Sequence, residues 1–156
     1  MKPKIGNKAP SFSLPDHTGQ LHNLTDYAGQ WVLIYFYPKD DTPGCTTEAC
    51  SLRDNLPKFK GLNAVVLGIS ADSVKSHAKF VAKYGLPFTI LADQDKAVCE
   101  AYGVWGEKSM FGKWFMGIRR ESFLIDPSGK VAKIYEHVKP EEHAQQVLTD
   151  LQALQP

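Results

Sequence analysis

The chain has 156 residues, of which 43% are apolar and 22% are charged. This length fits one domain with one core, so we expect residues 1–156 to form a single unit, and the composition excludes a disordered chain or a fibre. The 18 basic and 17 acidic residues leave a net charge of +1, which gives no reason to expect a nucleic acid or a membrane as a partner.

The apolar runs and the cysteines indicate the compartment. The longest strongly apolar run, residues 31–37, is too short to cross a bilayer, which takes roughly 20 residues. The first ten residues lack the apolar core of a secretory signal. Three cysteines, at positions 45, 50 and 99, make a poor disulfide framework. We therefore expect a cytoplasmic protein with reduced or redox-active thiols.

The first third of the chain predicts a hairpin and then a β-α-β order. Turn residues between short alternating pieces indicate a hairpin within residues 12–24. The run 31–37 is rich in β-branched and aromatic residues, which favours a strand buried on both faces. A helix is predicted over 45–56, ending before Pro57, and a second buried strand over 64–69.

The rest of the chain alternates helices and strands before a final hairpin and helix. Apolar positions at helical spacing, turn signals and a terminal apolar stripe carry these predictions. Together they predict an α/β, thioredoxin-like fold: a mixed central sheet, helices on both faces and an N-terminal β-hairpin extension. The predicted elements are a helix near 74–81 capped by Gly85, a strand at 88–91, a helix at 96–102, strands at 122–125 and 131–135, and a helix opening at Pro140.

Cys45 is the first candidate for chemistry. It follows Pro43 and Gly44 in the first turn of a predicted helix, where free backbone N–H groups and the helix dipole favour a thiolate. The alternative is a buried cysteine that acts as a small apolar residue. The polar neighbours at 46–48 disfavour that alternative, so a reactive thiol is the better interpretation.

The residues around Cys45 match a known family pattern. Residues 38–50, PKDDTPGCTTEAC, carry the peroxiredoxin signature P-x-x-x-[TS]-x-x-C, with a second cysteine five residues after the first. The opening G-x-x-A-P-x-F at 6–12 and the stretch GIRRESFLID at 117–126 extend the match. The chain therefore resembles the peroxiredoxin Q, or bacterioferritin comigratory protein, group over nearly its whole length.

The resemblance implies a thiol-dependent peroxidase. Cys45 would be the peroxidatic cysteine, which reduces hydrogen peroxide or an alkyl hydroperoxide and becomes a sulfenic acid. Cys50 would resolve it as a Cys45–Cys50 disulfide, recycled by thioredoxin or a glutaredoxin-like reductant. Without the resemblance, Cys50 is as well explained as an Ala-like residue on the buried helix face. Some relatives place a resolving cysteine in the following helix. In this chain that stretch is residues 79–81, Lys-Phe-Val, which contains no cysteine and therefore favours Cys50.

The resemblance also implies a set of residues around the thiol. Thr42 would hydrogen-bond the thiolate and the peroxide, Gly44 would line the substrate site, and Pro38 would shield the sulfur from water. Arg120, in an R-x-x-F pattern, would stabilise the negative charge as the O–O bond breaks. Arg119 is its neighbour on a predicted strand, where adjacent side chains face opposite ways, so only one can reach the site. For Arg119 we expect a solvated charge.

The remaining candidates are weaker. Glu48 either contacts the active-site loop or caps the first helical turn. Cys99 lies in an apolar-faced segment and is expected to be structural. The five histidines and the Cys-x4-Cys spacing form no metal-binding pattern, so we expect no metal and no cofactor.

Residues 105–118 concentrate aromatic and methionine side chains among glycines, which favours a loop. The loop would be an apolar lip for an alkyl hydroperoxide or a reductase, but burial of some of its rings against the sheet is the better expectation. Two other functions compete with a peroxidase: a thiol–disulfide oxidoreductase, disfavoured by the missing C-x-x-C, and a non-enzymatic redox-sensing module. By analogy with the group, we expect a monomer.

Overall fold

A computed structural model describes residues 2–155 of the chain. None of the helices in that range is long and apolar enough to cross a membrane. The strands are β1 (Ser13–Pro15), β2 (Leu21–Asn23), β3 (Trp31–Phe36), β4 (Ala64–Ser70), β5 (Thr89–Ala92), β6 (Trp105–Met110), β7 (Lys113–Ile118), β8 (Ser122–Ile125) and β9 (Val131–Tyr135). The helices are α1 (Pro43–Gly61), α2 (Val74–Tyr84), α3 (Ala97–Ala101) and α4 (His143–Leu154), with a 3-10 turn at Leu24–Tyr27.

Five strands form the central sheet in the order β5-β4-β3-β8-β9. Strand β3 runs parallel to β4 and antiparallel to β8, so the sheet is mixed. One face packs on α1, α2 and α4, and the other packs on α3 and the N-terminal segment. The hairpin β1–β2 precedes this core. The predicted thioredoxin-like α/β fold is therefore confirmed, with helices on both faces and an N-terminal hairpin.

Strand β3 is buried on both faces, as its composition predicts. Leu33 and Tyr35 point into the core beneath α1, while Val32, Ile34 and Phe36 point into the core beneath α3. Alternation along a strand sends successive side chains to opposite faces. Because this strand lies in the middle of the sheet, neighbours on both sides hold its end: the Phe36 N–H donates to the Glu121 carbonyl and the Tyr37 N–H to the Ile69 carbonyl.

Two helices, α1 and α4, have boundaries that differ from the prediction. Helix α1 continues through Pro57 to Gly61, although proline removes one backbone hydrogen bond. Phe59, beyond the proline, is fully buried, so the continued helix gains the burial of an aromatic ring, which offsets part of that cost. Helix α1 also begins at Pro43, since proline suits the first helical position. Helix α4 begins at His143, after turns that include Pro140.

The predicted loop at 105–118 is instead a second hairpin, made of β6 and β7. Phe111 and Gly112 form its two-residue turn with φ values of 54° and 77°, the backbone that tight hairpins require. Of its rings, Trp105 packs partly buried against the core on the α3 face, as expected for some of them, whereas others are exposed. Phe111 is 97% exposed and Trp114 is 71% exposed, because the two strands pair with each other and form a sheet separate from the central one.

Candidate active site

Cys45 lies where the loop after β3 leads into α1. Thr42 is the N-cap of α1 and its carbonyl accepts from the Thr46 N–H at 2.8 Å, so Cys45 is in the first helical turn. Its side chain faces inward and is only 1% exposed. The free N–H groups of this first turn carry partial positive charge. The local chain thus places a shielded sulfur where a negative charge is favoured.

Arg120 supplies a full positive charge to the same sulfur. It lies two residues before β8, whose antiparallel pairing with β3 sets Tyr35 opposite Ser122. The Arg120 Nη2 atom donates to Cys45 Sγ at 3.4 Å. Arg119 faces the other way: its Nη2 donates to the Gly103 carbonyl. The structure brings Arg120, and not Arg119, to the thiol.

Glu48 and Cys45 are both hydrogen-bonded to Arg120, so the three side chains form a row. The other end of the guanidinium, Nη1, donates to Glu48 Oε1 at 2.8 Å. Glu48 is fully buried, and its second oxygen, Oε2, has no hydrogen-bond partner among the described residues. Burial raises the pKa of Glu48 to about 7, although Arg120 acts to lower it. Glu48 therefore contacts the site arginine and does not cap the helix.

Arg120 is held strongly in its charged form. Burial acts to lower its pKa, but the nearby Cys45 and Glu48 raise it, and the net effect is a raised pKa. One guanidinium thus serves two groups that can each carry a negative charge. When Glu48 is neutral, the positive charge of Arg120 acts on the sulfur alone. When Glu48 is ionised, its negative charge offsets part of that attraction.

Three further predicted residues lie in the loop before Cys45 or in the first turn of α1. The Thr42 hydroxyl donates to the Lys39 carbonyl at 2.8 Å and makes no hydrogen bond to Cys45 here. Its only proton is used in this bond, so the Thr42 hydroxyl cannot also donate to Cys45. Its oxygen keeps a lone pair and can accept from a peroxide O–H. Gly44 lies so close to Arg120 that an added Cβ would stand 2.9 Å from Nη2. Pro38 is half-buried at the end of β3.

Cys50 lies on α1 beyond the first turn, half-buried, and all three cysteines are free thiols. An intact helix separates the Cα atoms of residues i and i+5 by about 8–9 Å, whereas a disulfide requires less than about 7 Å. Cys50 and Cys45 are therefore on one helix but cannot bond while it is intact. Cys50 lines an open groove together with Thr46, Thr47, Ser51, Asp54, Asn55 and Glu141.

Cys99 is remote from this site. It packs in the core on the opposite face of the sheet from Cys45. Burial, together with the Asp93 carboxylate, raises the pKa of its thiol far above the ordinary value. Cys99 therefore stays a neutral thiol, which fits a structural role.

The sequence analysis missed a buried cluster behind the active-site loop. Asp40, in that loop, is 8% exposed, and its carboxylate contacts His77 on α2 at 2.7 Å. The available signal was His77 itself, which occupies the apolar stripe of its helix with Val74, Ala78 and Val81. A polar residue at a core position needs a partner, but its position in the sequence does not identify that partner.

Comparison with known proteins places this geometry in a family. Residues 5–134 match the AhpC/TSA family. Peroxiredoxin Bcp of Escherichia coli K12 is 52% identical over 145 residues, which cover 93% of each chain. Peroxiredoxin Bcp of Bacillus subtilis 168 is 46% identical over 148 residues, which cover 95% of this chain and 94% of the relative.

Solved structures of peroxiredoxins match the fold of this chain. A cysteine-to-serine mutant of Xylella fastidiosa PrxQ superposes with a TM-score of 0.94 at 39% identity, covering 100% of this chain and 99% of the other. The bacterioferritin comigratory protein of Xanthomonas campestris, solved for its alkyl peroxide reduction activity, gives a TM-score of 0.87 at 45% identity, with coverage of 92% and 91%.

The chain belongs to the AhpC/TSA family and, within it, to the peroxiredoxin Q/Bcp group. The resemblance drawn from residues 38–50 is confirmed. The protein is an enzyme of the peroxidase class with a thioredoxin fold. This excludes a non-enzymatic sensor and makes a general thiol–disulfide oxidoreductase the weaker alternative.

Proposed function

We propose that Cys45 reduces hydrogen peroxide and alkyl hydroperoxides, that Cys50 resolves the oxidised sulfur, and that thioredoxin restores the dithiol. The observation that supports this assignment best is the 3.4 Å contact from Arg120 Nη2 to Cys45 Sγ at a helix N-terminus. A thiol held against both a guanidinium and free backbone N–H groups is set up to react as a thiolate.

In the first step, the Cys45 thiolate attacks one oxygen of ROOH. An S–O bond forms as the O–O bond breaks, so sulfur is oxidised by two electrons and the peroxide is reduced. The leaving RO⁻ takes up one proton and departs as ROH or water. This balances the proton that Cys45 released when it became a thiolate. Arg120 stabilises the charge on the departing oxygen, and the Thr42 hydroxyl oxygen accepts the O–H of the bound peroxide.

In the second step, the Cys50 sulfur attacks the Cys45 sulfenic acid. An S–S bond forms, the S–O bond breaks, and the hydroxyl leaves as water with the proton of Cys50. This step requires α1 to unwind locally, since the intact helix keeps the two Cα atoms too far apart. A second peroxide would instead convert the sulfenic acid to a sulfinic acid.

In the third step, a dithiol reductant returns two electrons and two protons to the Cys45–Cys50 disulfide by thiol exchange. We assign this role to thioredoxin, with a glutaredoxin-like protein as the alternative. A reductant of this kind implies a cytoplasmic location. The cycle needs one chain only, so the protein would act as a monomer.

A coupled assay tests the proposal. NADPH consumption is followed through thioredoxin reductase and thioredoxin, with a peroxide as the only oxidant. We expect turnover for the wild type and for Cys99→Ser, and none for Cys45→Ser. Cys50→Ser should oxidise once but fail to accept electrons from thioredoxin. Sustained turnover by Cys45→Ser would overturn the assignment of the nucleophile, and full turnover by Cys50→Ser that of the resolving residue.

A further inference from the structure

We propose that Asp40 and His77 form a positioning pair that clamps the active-site loop, residues 38–42, onto α2. The clamp holds the Cys45 end of α1 in the folded state that attacks peroxide and opposes the unwinding that brings Cys45 to Cys50. The inference builds on the proposed function, because it concerns the balance between two steps of that cycle.

The pair is buried and fully bonded. Asp40 Oδ2 lies 2.7 Å from His77 Nδ1 and accepts from Ser76 Oγ at 2.8 Å. Its other oxygen, Oδ1, accepts from the Tyr37 hydroxyl at 2.5 Å. The side chains of His77 and Asp40 are 0% and 4% exposed. An Asp side chain is rarely this buried unless it has such partners.

The hydrogen bonds of His77 join three elements. Its Nε2 lies 3.1 Å from the Leu91 carbonyl on β5. Its Nδ1 faces the Asp40 carboxylate, which also accepts from the Ser76 and Tyr37 hydroxyl groups. The ring thus links the loop, α2 and β5 through a histidine–carboxylate contact away from water.

The same loop is tied to α2 at a second point. The Asp40 N–H donates to Asp72 Oδ2 at 2.9 Å, just before α2. Asp41 has a φ of 57°, a region that non-glycine residues seldom adopt. Its carboxylate accepts from Lys83 Nζ at 2.7 Å and from the Tyr84 hydroxyl at 2.6 Å. The loop conformation is thus held by α2 and by Asp72 just before it. The exposed Lys83 contact contributes least to the stability of the loop.

The clamp acts on Cys45 through the chain. Asp40 lies two residues before Thr42, the N-cap from which α1 starts. A loop released from α2 lets the first turn of α1 fray, and Cys45 then leaves Arg120. Fraying lowers the population that reacts with peroxide and raises the population in which Cys50 can reach the sulfenic acid. Weakening the clamp should therefore move the two rate constants in opposite directions.

His77→Gln tests this, with His22→Gln as a matched control. Glutamine removes the imidazole ring, and with it one of its two hydrogen bonds, but keeps an amide donor. His22 makes the same kind of contact, 2.7 Å from Asp16 Oδ2 and 2.6 Å from the Tyr27 hydroxyl, in the N-terminal hairpin. These two partners lie outside the loop at 38–42. The control therefore loses a histidine–aspartate contact without loosening α1.

Stopped-flow fluorescence with hydrogen peroxide gives the rate constants of Cys45 oxidation and of disulfide formation separately. For His77→Gln we expect oxidation to slow by about tenfold, the effect of losing one buried hydrogen bond. Disulfide formation should accelerate, and sulfinic acid formation at high peroxide should decrease. His22→Gln should leave both rate constants unchanged.

Parallel slowing of both steps in His77→Gln, or no change in either, would overturn the clamp. If His77→Gln does not fold, Ser76→Ala removes one donor to Asp40 and should move both constants in the same directions by a smaller factor. Failure of the clamp and failure of the proposed function give different results. If the proposed function is wrong, the wild type itself does not turn over peroxide with thioredoxin.

Discussion

Glu48 Oε1 accepts from Arg120 Nη1 at 2.8 Å, while Oε2 of the same buried carboxylate has no partner among the described residues. The pair crosses 72 positions of the chain and lies beside the reactive sulfur. Burial raises the pKa of Glu48 to about 7 against the attraction of Arg120. A group with that pKa changes its charge near neutral pH, so Glu48 links pH to both stability and rate.

Replacing Glu48 by glutamine (Glu48→Gln) should flatten the pH dependence of stability. In the unfolded chain the pKa of Glu48 is near its ordinary value of 4.5, and in the folded protein it is about 7. Between these values the folded state binds more protons, so the wild type loses stability as pH rises, by about 3 kcal/mol in total. The substituted amide carries no charge at any pH and lacks this loss. Urea unfolding at pH 5 and pH 8 measures the difference between the two proteins.

Glu107→Gln is the control for this prediction, because Glu107 is exposed on β6. Its pH dependence should equal that of the wild type. If Glu48→Gln retained the wild-type difference between pH 5 and pH 8, Glu48 would not titrate in this range.

Arg120→Ala should slow peroxide reduction far more than Arg119→Ala. Only Arg120 of the two reaches Cys45 Sγ, at 3.4 Å, and losing one charge-stabilising donor from such a site costs roughly 100-fold to 1,000-fold in rate. Arg119 contacts Gly103 and Glu121 and should matter for stability alone. Single-turnover kinetics with hydrogen peroxide gives the second-order rate constants. A larger defect in Arg119→Ala would show that the role belongs to Arg119 instead.

Gly44→Ala should impair the rate without unfolding the protein. The new methyl group would stand 2.9 Å from Arg120 Nη2 and displace the guanidinium from the sulfur. The helix itself tolerates alanine better than glycine. We expect a rate constant lower by about tenfold, as for one weakened charged hydrogen bond, and an unchanged midpoint of thermal unfolding.

Gly61→Ala is the matched control, since Gly61 lies in the same helix and an added Cβ there meets none of the described residues within 4 Å. It should keep the wild-type rate. Equal rates in the two variants would mean that the close approach of Gly44 to Arg120 has no catalytic consequence.

Amide hydrogen exchange should differ between the dithiol and disulfide forms at residues 45–55. In the dithiol form these residues lie in the continuous helix α1 and should be protected. In the disulfide form the helix must open there, because its intact geometry exceeds the reach of the bond. Helix α4 should exchange equally in both forms. Equal protection of residues 45–55 in the two forms would refute the unwinding.

Much of the chemistry is predictable from sequence because it is local. A cysteine after Pro43 and Gly44, with polar residues behind it, falls in a first helical turn wherever that helix packs. Turn residues and the alternation of strands and helices likewise depend on near neighbours, and they predicted the thioredoxin-like order correctly. The resemblance pointed to Arg120 and not Arg119, although neither lies on a strand as expected: both fall between β7 and β8.

The two errors have different causes. Pro57 signals the end of a helix, but Phe59 beyond it is buried in the core, and the local signal says nothing about that distant packing. The glycines in residues 105–118 signal a loop, but Phe111 and Gly112 form a tight turn that lets β6 and β7 pair with each other. That second error is a turn signal that the sequence analysis did not recognise.

The sequence by itself thus determined the fold and the place of Cys45 in the first turn of a helix, since caps, turns and periodicity act over a few residues. Only the tertiary structure decided the surroundings of the sulfur. The antiparallel pairing of β3 with β8 carries Arg120 across 75 positions to Cys45, and the packing of α2 brings His77 across 37 positions to Asp40. Such pairs form because a buried charge without a partner is costly, and the core that buries them exists only once the whole sheet has assembled.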